Sequence, residues 1–136
     1  MLLMDTGPLV AFVDASDQYH NAAVSLLGTY RGPFYVPMLV VAEVTHMLRR
    51  RVGTYAEIQF LADLVDGHFA VEAVEPIDWR RITELATKYR DLPLGTVDAS
   101  IIVAAERLNI PTIATFDRRH FTVVRPAHIE AFDLVP

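Results

Sequence analysis

The sequence predicts an α/β domain, a three-layer α/β/α sandwich with a central, mainly parallel sheet, formed by residues 1-136 as one unit. Three observations carry this reading. Short apolar runs alternate with helical patterns of about a dozen residues along the chain, the signature of strands joined by crossover helices. Apolar residues make up 52% of the 136, and no repeat, low-complexity tract or Pro/Gly/Ser-rich linker breaks the pattern. The length is close to the prior of roughly 150 residues per domain, which leaves room for one core only.

Leu2 to Asp5 reads as a buried strand ending in Asp5-Thr6-Gly7-Pro8, where Pro8 suits the first turn of a helix continued by Leu9, Val10, Phe12 and Val13. A second helix covers Tyr19 to Tyr30, and Arg31-Gly32-Pro33 breaks it before a strand at Phe34-Tyr35-Val36. From Pro37 the spacing of Leu39, Val40, Val44, Met47 and Leu48 is helical, and Arg49-Arg50-Arg51 at the far end complements the helix dipole. Thr54 to Val65 gives another helix, Phe69 to Val74 a strand, and Ile77 to Tyr89 a helix whose inner face would take Trp79 and Tyr89. Thr96 can cap a helix running to Leu108, Ile110 to Thr115 forms the next strand, and Thr122 to Val124 is a late strand. Order is expected everywhere except the last few residues.

Composition narrows the function classes. Without cysteine there is neither a disulfide framework nor a thiolate metal site, so any metal must be held by oxygen or imidazole. Met1 to Asp5 lacks the basic start and long apolar stretch of a signal peptide, and no run reaches the ~20 residues of a membrane span, so a cytoplasmic protein without membrane contact is expected. The net charge of -5 argues against a general nucleic-acid binder. The basic residues nevertheless cluster at Arg49-Arg50-Arg51, Arg80-Arg81 and Arg118-Arg119, and all but Lys88 are arginine, the better bidentate phosphate ligand. Arg80-Arg81 reads as a solvated helix surface.

Four acids beside apolar segments carry the chemistry: Asp5, Glu43, Asp98 and Asp117. Burying one unpartnered carboxylate is costly, and burying several adds repulsion, so a cation or proton must compensate the group. Glu43 has Leu39 and Val40 one turn before it and Met47 one turn after; Asp98 shares its side with Ile101, Ile102 and Ala105. Asp5 follows the first strand, where it could equally serve as an N-cap, and Asp117 lies in a polar loop where an aspartate often braces a turn. Sites in parallel sheets lie beyond the strand carboxyl ends, and all four acids are expected there.

The segments Leu3-Met4-Asp5-Thr6, Val36-Pro37 with Val41-Ala42-Glu43-Val44, Asp91-Leu92-Pro93-Leu94-Gly95-Thr96-Val97-Asp98-Ala99-Ser100-Ile101 and Ala114-Thr115-Phe116-Asp117-Arg118-Arg119-His120-Phe121 resemble, in order and spacing, the PIN domain and within it the VapC toxins. That resemblance implies a metal-dependent endoribonuclease in which Asp5, Glu43 and Asp98 hold Mg²⁺ or Mn²⁺, Asp117 assists, and Thr6 and Thr115 support the ligands. It further implies hydrolysis by metal-activated water, a structured RNA substrate such as tRNA or ribosomal RNA, a homodimer and a cognate VapB-type antitoxin. Gly7 departs from the serine common at that position. Arg49, Arg50, Arg118 and Arg119 are candidates for flanking phosphates.

Competing readings are weaker. Asp5-Thr6-Gly7 is also the aspartic-protease tripeptide, but that fold is almost wholly β. A phosphate-receiving regulator domain needs a lysine at a strand end, and Lys88 falls late in a helix. A catalytically silent PIN-like module that binds RNA or protein is the remaining alternative; none of the four acids is missing. The five histidines show no zinc-type spacing.

Overall fold

A computed structural model describes all residues, 1–136. Its five strands are all parallel, in the spatial order β3-β2-β1-β4-β5. The first is β1 (Leu2–Met4), whose three residues are wholly buried because helices cover the sheet on both faces. It leads into α1 (Thr6–Val13) and α2 (His20–Thr29), then β2 (Phe34–Pro37), α3 (Met38–Arg51), α4 (Thr54–Val65) and β3 (Ala70–Glu72) at one edge.

The chain then reverses. α5 (Asp78–Lys88) and α6 (Thr96–Leu108) return it to β4 (Thr112–Ala114) on the far side of β1, and α7 (Arg119–Val123) leads to β5 (Asp133–Val135) at the other edge. Crossovers running in opposite directions from β1 put helices on opposite faces when each is right-handed, which gives the three-layer sandwich. Met4 pairs with Ala114 across the reversal, so the carboxyl ends of β1 and β4 form the topological switch point where such sheets carry their sites. No helix is long and apolar enough to cross a membrane.

The core is one cluster built on Leu2, Leu3, Met4, Val36 and Ile113 of the sheet with Leu9, Val44, Leu48, Phe60, Leu85, Ile101 and Ile102 of the helices. Polar clamps fix the outer helices. Arg81 forks onto Glu106, at 2.9 Å from Nε to Oε2 and 2.8 Å from Nη2 to Oε1, and Glu106 also accepts from the Ala127 amide at 2.8 Å. Arg81 is thus a clamp between α5 and α6, not the solvated surface charge its sequence context suggests.

Three further expectations are corrected. Thr122 to Val124 is not a strand: Thr122 and Val123 end α7, and the last strand is Asp133–Val135. The final residues, expected to be loose, therefore pair with β4 through Thr112–Asp133, Ile113–Leu134 and Ala114–Val135. Trp79 is 49% exposed, since the inner face of α5 is taken by Ile82 and Leu85. Tyr89 does pack on the core, and its hydroxyl accepts from the Arg125 amide.

Candidate metal centre

Asp5 is the first residue after β1 and the N-cap of α1: its Oδ1 accepts from the Thr6 amide at 2.7 Å. The cap and ligand readings of the sequence are thus not alternatives, because the other oxygen, Oδ2, faces the end of β4 and accepts from Thr115 Oγ1 at 2.7 Å. Only 9% of Asp5 is exposed. Burial pushes its carboxyl from the usual 3.8 to about 6, against the lowering effect of the Thr115 and Thr6 hydrogen bonds; the nearby charges of Asp98 and Glu43 add to the rise. Three carboxylates thus share one electrostatic neighbourhood although 38 and 55 positions separate Glu43 from Asp5 and Asp98.

Each of the other acids has its own partner. Glu43 sits in the second turn of α3, exposed at the edge of the buried stripe formed by Val40, Val44 and Leu48, and Thr6 Oγ1 donates to its Oε2. Asp98, in the first turn of α6, is partly buried and its Oδ2 meets Nδ1 of His120. Asp117 is half exposed and receives the Arg119 fork, 2.8 Å from Nε to Oδ1 and 2.6 Å from Nη2 to Oδ2. That hydrogen-bonded guanidinium holds the Asp117 carboxyl down at about 2. Engaged in this way, the acids are not gathered as three or more ligands about one point.

Thr115 is the hinge between the two sides of the site. Its hydroxyl serves Asp5 and lies 3.0 Å from the Asp117 carbonyl, while the Asp117 amide donates back to it at 3.1 Å. Thr115→Val removes a hydrogen bond to a buried carboxylate and is expected to cost about 2 kcal/mol of stability at pH 8, where Asp5 is ionised. Urea unfolding checks it; an unchanged midpoint would show that the hydroxyl does not support Asp5.

The arginines divide into two groups. Arg119 is committed to Asp117, and Arg118 donates to the carbonyls of Leu134 and Pro136. Both therefore have internal partners where free phosphate ligands were expected. Arg50 and Arg51 line a pocket of about 320 Å³ with His46 and Met47, and Arg49 lies 4.0 Å from Glu57. Arg50 is seven residues beyond Glu43, about 10 Å of helix rise. Sequence reasoning missed His120, which metal-type spacing among histidines could not find; its position three residues after Asp117, in the first turn of α7, was the available signal.

Comparison with known proteins gives a consistent answer. The family model described as PIN domain matches residues 2–125. Ribonuclease VapC26 of Mycobacterium tuberculosis is 32% identical over 99% of this chain and 100% of its own length. Among solved structures, the fold is shared with VapC20 of M. tuberculosis, described as a sarcin-ricin loop cleaving toxin, at a TM-score of 0.82 and 21% identity over 87% of this chain and 91% of that one. It is shared also with a toxin–antitoxin complex from Klebsiella pneumoniae, at a TM-score of 0.70 and 20% identity over 95% of this chain and 100% of that one. VapBC2 of Rickettsia felis bound to promoter DNA gives 0.69 and 17% with full coverage of both chains.

Proposed function

The chain belongs to the PIN-domain family, in its VapC branch, and on that premise we propose that it is a Mg²⁺-dependent endoribonuclease, the toxin of a toxin–antitoxin pair, with Mn²⁺ as a substitute ion. The observation that carries the reading is the buried carboxylate of Asp5 at the switch point, held by Thr115 and the Thr6 amide within reach of the charges of Asp98 and Glu43. Burial disfavours the ionised form of Asp5, a cost that a bound cation would offset, and an all-oxygen donor set suits a hard divalent cation. Asp5, Glu43 and Asp98 would hold it, with Asp117 assisting once free of Arg119. When bound, such a cation lowers the pKa of a water and neutralises charge on the departing oxygen.

The chain's own residues do the positioning. Thr115 and the Thr6 amide aim the two oxygens of Asp5 in different directions, Thr6 Oγ1 holds Glu43, and His120 holds Asp98. Arg50, exposed beside a pocket, is the basic residue best placed for a flanking phosphate, whereas Arg51, 3.9 Å from Asp17, and Arg118 and Arg119 would first have to leave their partners.

The substrate class within this proposal is a structured RNA, tRNA or ribosomal RNA, cut in the cytoplasm at an unpaired segment where bases can be splayed out. A VapB-type antitoxin is the expected partner, with a homodimer as the toxin's own assembly. The exposed apolar run Tyr55, Ile58, Leu61 and Val65 on α4 supports a protein partner, because such contiguous surfaces mark interaction sites.

Attack by water leaves 5′-phosphate and 3′-hydroxyl ends, which end-labelling and ligation of the fragments can read. A 2′,3′-cyclic phosphate would contradict the mechanism. The separate engagement of the acids is the one observation that favours a silent RNA-binding module instead, which predicts binding without any cut.

A further inference from the structure

We propose that Tyr19, stacked on Phe116 at the rim of the carboxylate site, is a platform on which a nucleobase of single-stranded RNA stacks next to the phosphate to be cut; the placement rests on the ribonuclease reading above. The two rings lie 4.4 Å apart between centroids and are tilted by only 15°, a face-to-face stack. Neither belongs to the hydrophobic core or to the residues packed against it, and Tyr19 is 44% exposed. A large aromatic pair held outside the core is not explained by burial.

Its position ties it to the site. Phe116 lies between Thr115, which holds Asp5, and Asp117. It also meets the start of α1, where a Cβ added at Gly7 would come within 3.6 Å of Phe116 Cδ2. Phe116 thus adjoins both the first turn of α1 and Tyr19, and Tyr19 remains partly open to solvent.

The segment presenting Tyr19 is braced. Asp14 Oδ1 accepts from the Ser16 amide at 3.0 Å and the Ser16 hydroxyl at 2.7 Å, Asp17 Oδ1 accepts from the Tyr19 amide at 2.8 Å, and His20 Nδ1 lies 2.8 Å from the Ala11 carbonyl. A pre-ordered stack can accept a third ring without the entropic cost of ordering a loop. Every base has a π-face, so the contact favours unpaired RNA over duplex while discriminating little between bases.

The test compares wild type with Tyr19→Phe, Tyr19→Leu and Tyr19→Ala. Leucine can still pack on Phe116 but offers no π-face. Binding is read on a short oligouridylate carrying 2-aminopurine, whose fluorescence falls on stacking; cleavage is read with Mg²⁺ on total cellular RNA for activity and on a synthetic RNA spanning one mapped cut for kcat and KM. Wild type and Tyr19→Phe are expected to bind and quench alike, whereas Tyr19→Leu and Tyr19→Ala each lose roughly tenfold in affinity and raise KM with little change in kcat.

Wild-type behaviour of Tyr19→Leu, equal binding by all four proteins, or no quenching by wild type overturns the platform. Cleavage with an equal KM in all four would refute the platform and leave the ribonuclease intact. Tyr19-dependent quenching by a protein that cuts no RNA supports the platform and refutes the ribonuclease.

Discussion

Asp5→Asn is expected to abolish RNA cleavage while making the metal-free protein more stable, by about 2 kcal/mol at pH 8. The folded state binds the Asp5 proton more tightly than the unfolded chain, with a pKa of about 6 against 3.8. Stability from this group is therefore fully present below pH 3.8 and is lost as pH rises through 6, at most about 3 kcal/mol for a shift of that size. Asparagine removes the charge and retains the shape. Its Oδ1 still caps α1, and its amide can donate to Thr115 Oγ1, whose proton then turns to the Asp117 carbonyl 3.0 Å away.

The difference between variant and wild type should thus vanish near pH 4 and grow towards pH 8. Mg²⁺ should raise the thermal midpoint of wild type and leave that of Asp5→Asn unmoved, because only a carboxylate pays back its desolvation on meeting the ion. Equal stability of the two metal-free proteins at pH 8 would show that Asp5 is not strained by its site.

Arg107→Ala should be among the most damaging substitutions remote from the site. From the last turn of α6, Arg107 reaches Glu72 at 2.6 Å through Nη1, the Ala73 carbonyl at 2.9 Å through Nη2, and Asp78 at 3.2 and 3.3 Å through Nη2 and Nε. One side chain thus joins the end of β3, the start of α5 and the end of α6. Asp78 is only 5% exposed, and without Arg107 its one remaining hydrogen bond comes from the Glu75 amide at 2.8 Å. Leaving a buried carboxylate so poorly compensated costs about 3 kcal/mol. The thermal midpoint should fall by roughly 10 °C for a chain of this length. Arg107→Lys, keeping the charge but losing the fork, should recover part of the loss. A fall of under about 2 °C for the alanine variant would show that the clamp is not a stabilising element.

Much of the fold was legible because α/β alternation is a strong periodic signal. The apolar run of Leu2, Leu3 and Met4 and the helical spacing of Val40, Val44 and Leu48 each match one element. What was missed is short or depends on distant partners. The strand Asp133–Val135 has three residues near the chain end, too few for any period, and exists because β4 offers it an edge. The pattern at Thr122 to Val124 is too brief to separate a strand from a helical turn, and α7 wins because Phe121 and Val124 can both be buried from a single turn.

The site was legible in its acids and hidden in its contacts. Helical periodicity singled out Glu43 and Asp98, whereas Asp5 read equally well as an N-cap until the resemblance pointed to it as a ligand. Glu43 lies at the edge of the apolar stripe as expected, but as an exposed residue where a solvated surface charge was not expected, its carboxylate tied only to Thr6. The pairing of Asp117 with Arg119 and of Asp98 with His120 depends on rotamers and loop paths that no periodicity encodes. The stack of Tyr19 on Phe116 joins residues nearly a hundred positions apart and leaves no local trace.

The most direct measurement is cleavage of total cellular RNA by wild-type and Asp5→Asn protein, each with Mg²⁺ and with EDTA. A metal-dependent ribonuclease built on these carboxylates cuts only as wild type with Mg²⁺, and readdition of Mg²⁺ or Mn²⁺ after chelation restores the cut. Cleavage that survives both the substitution and EDTA would contradict the metal site outright.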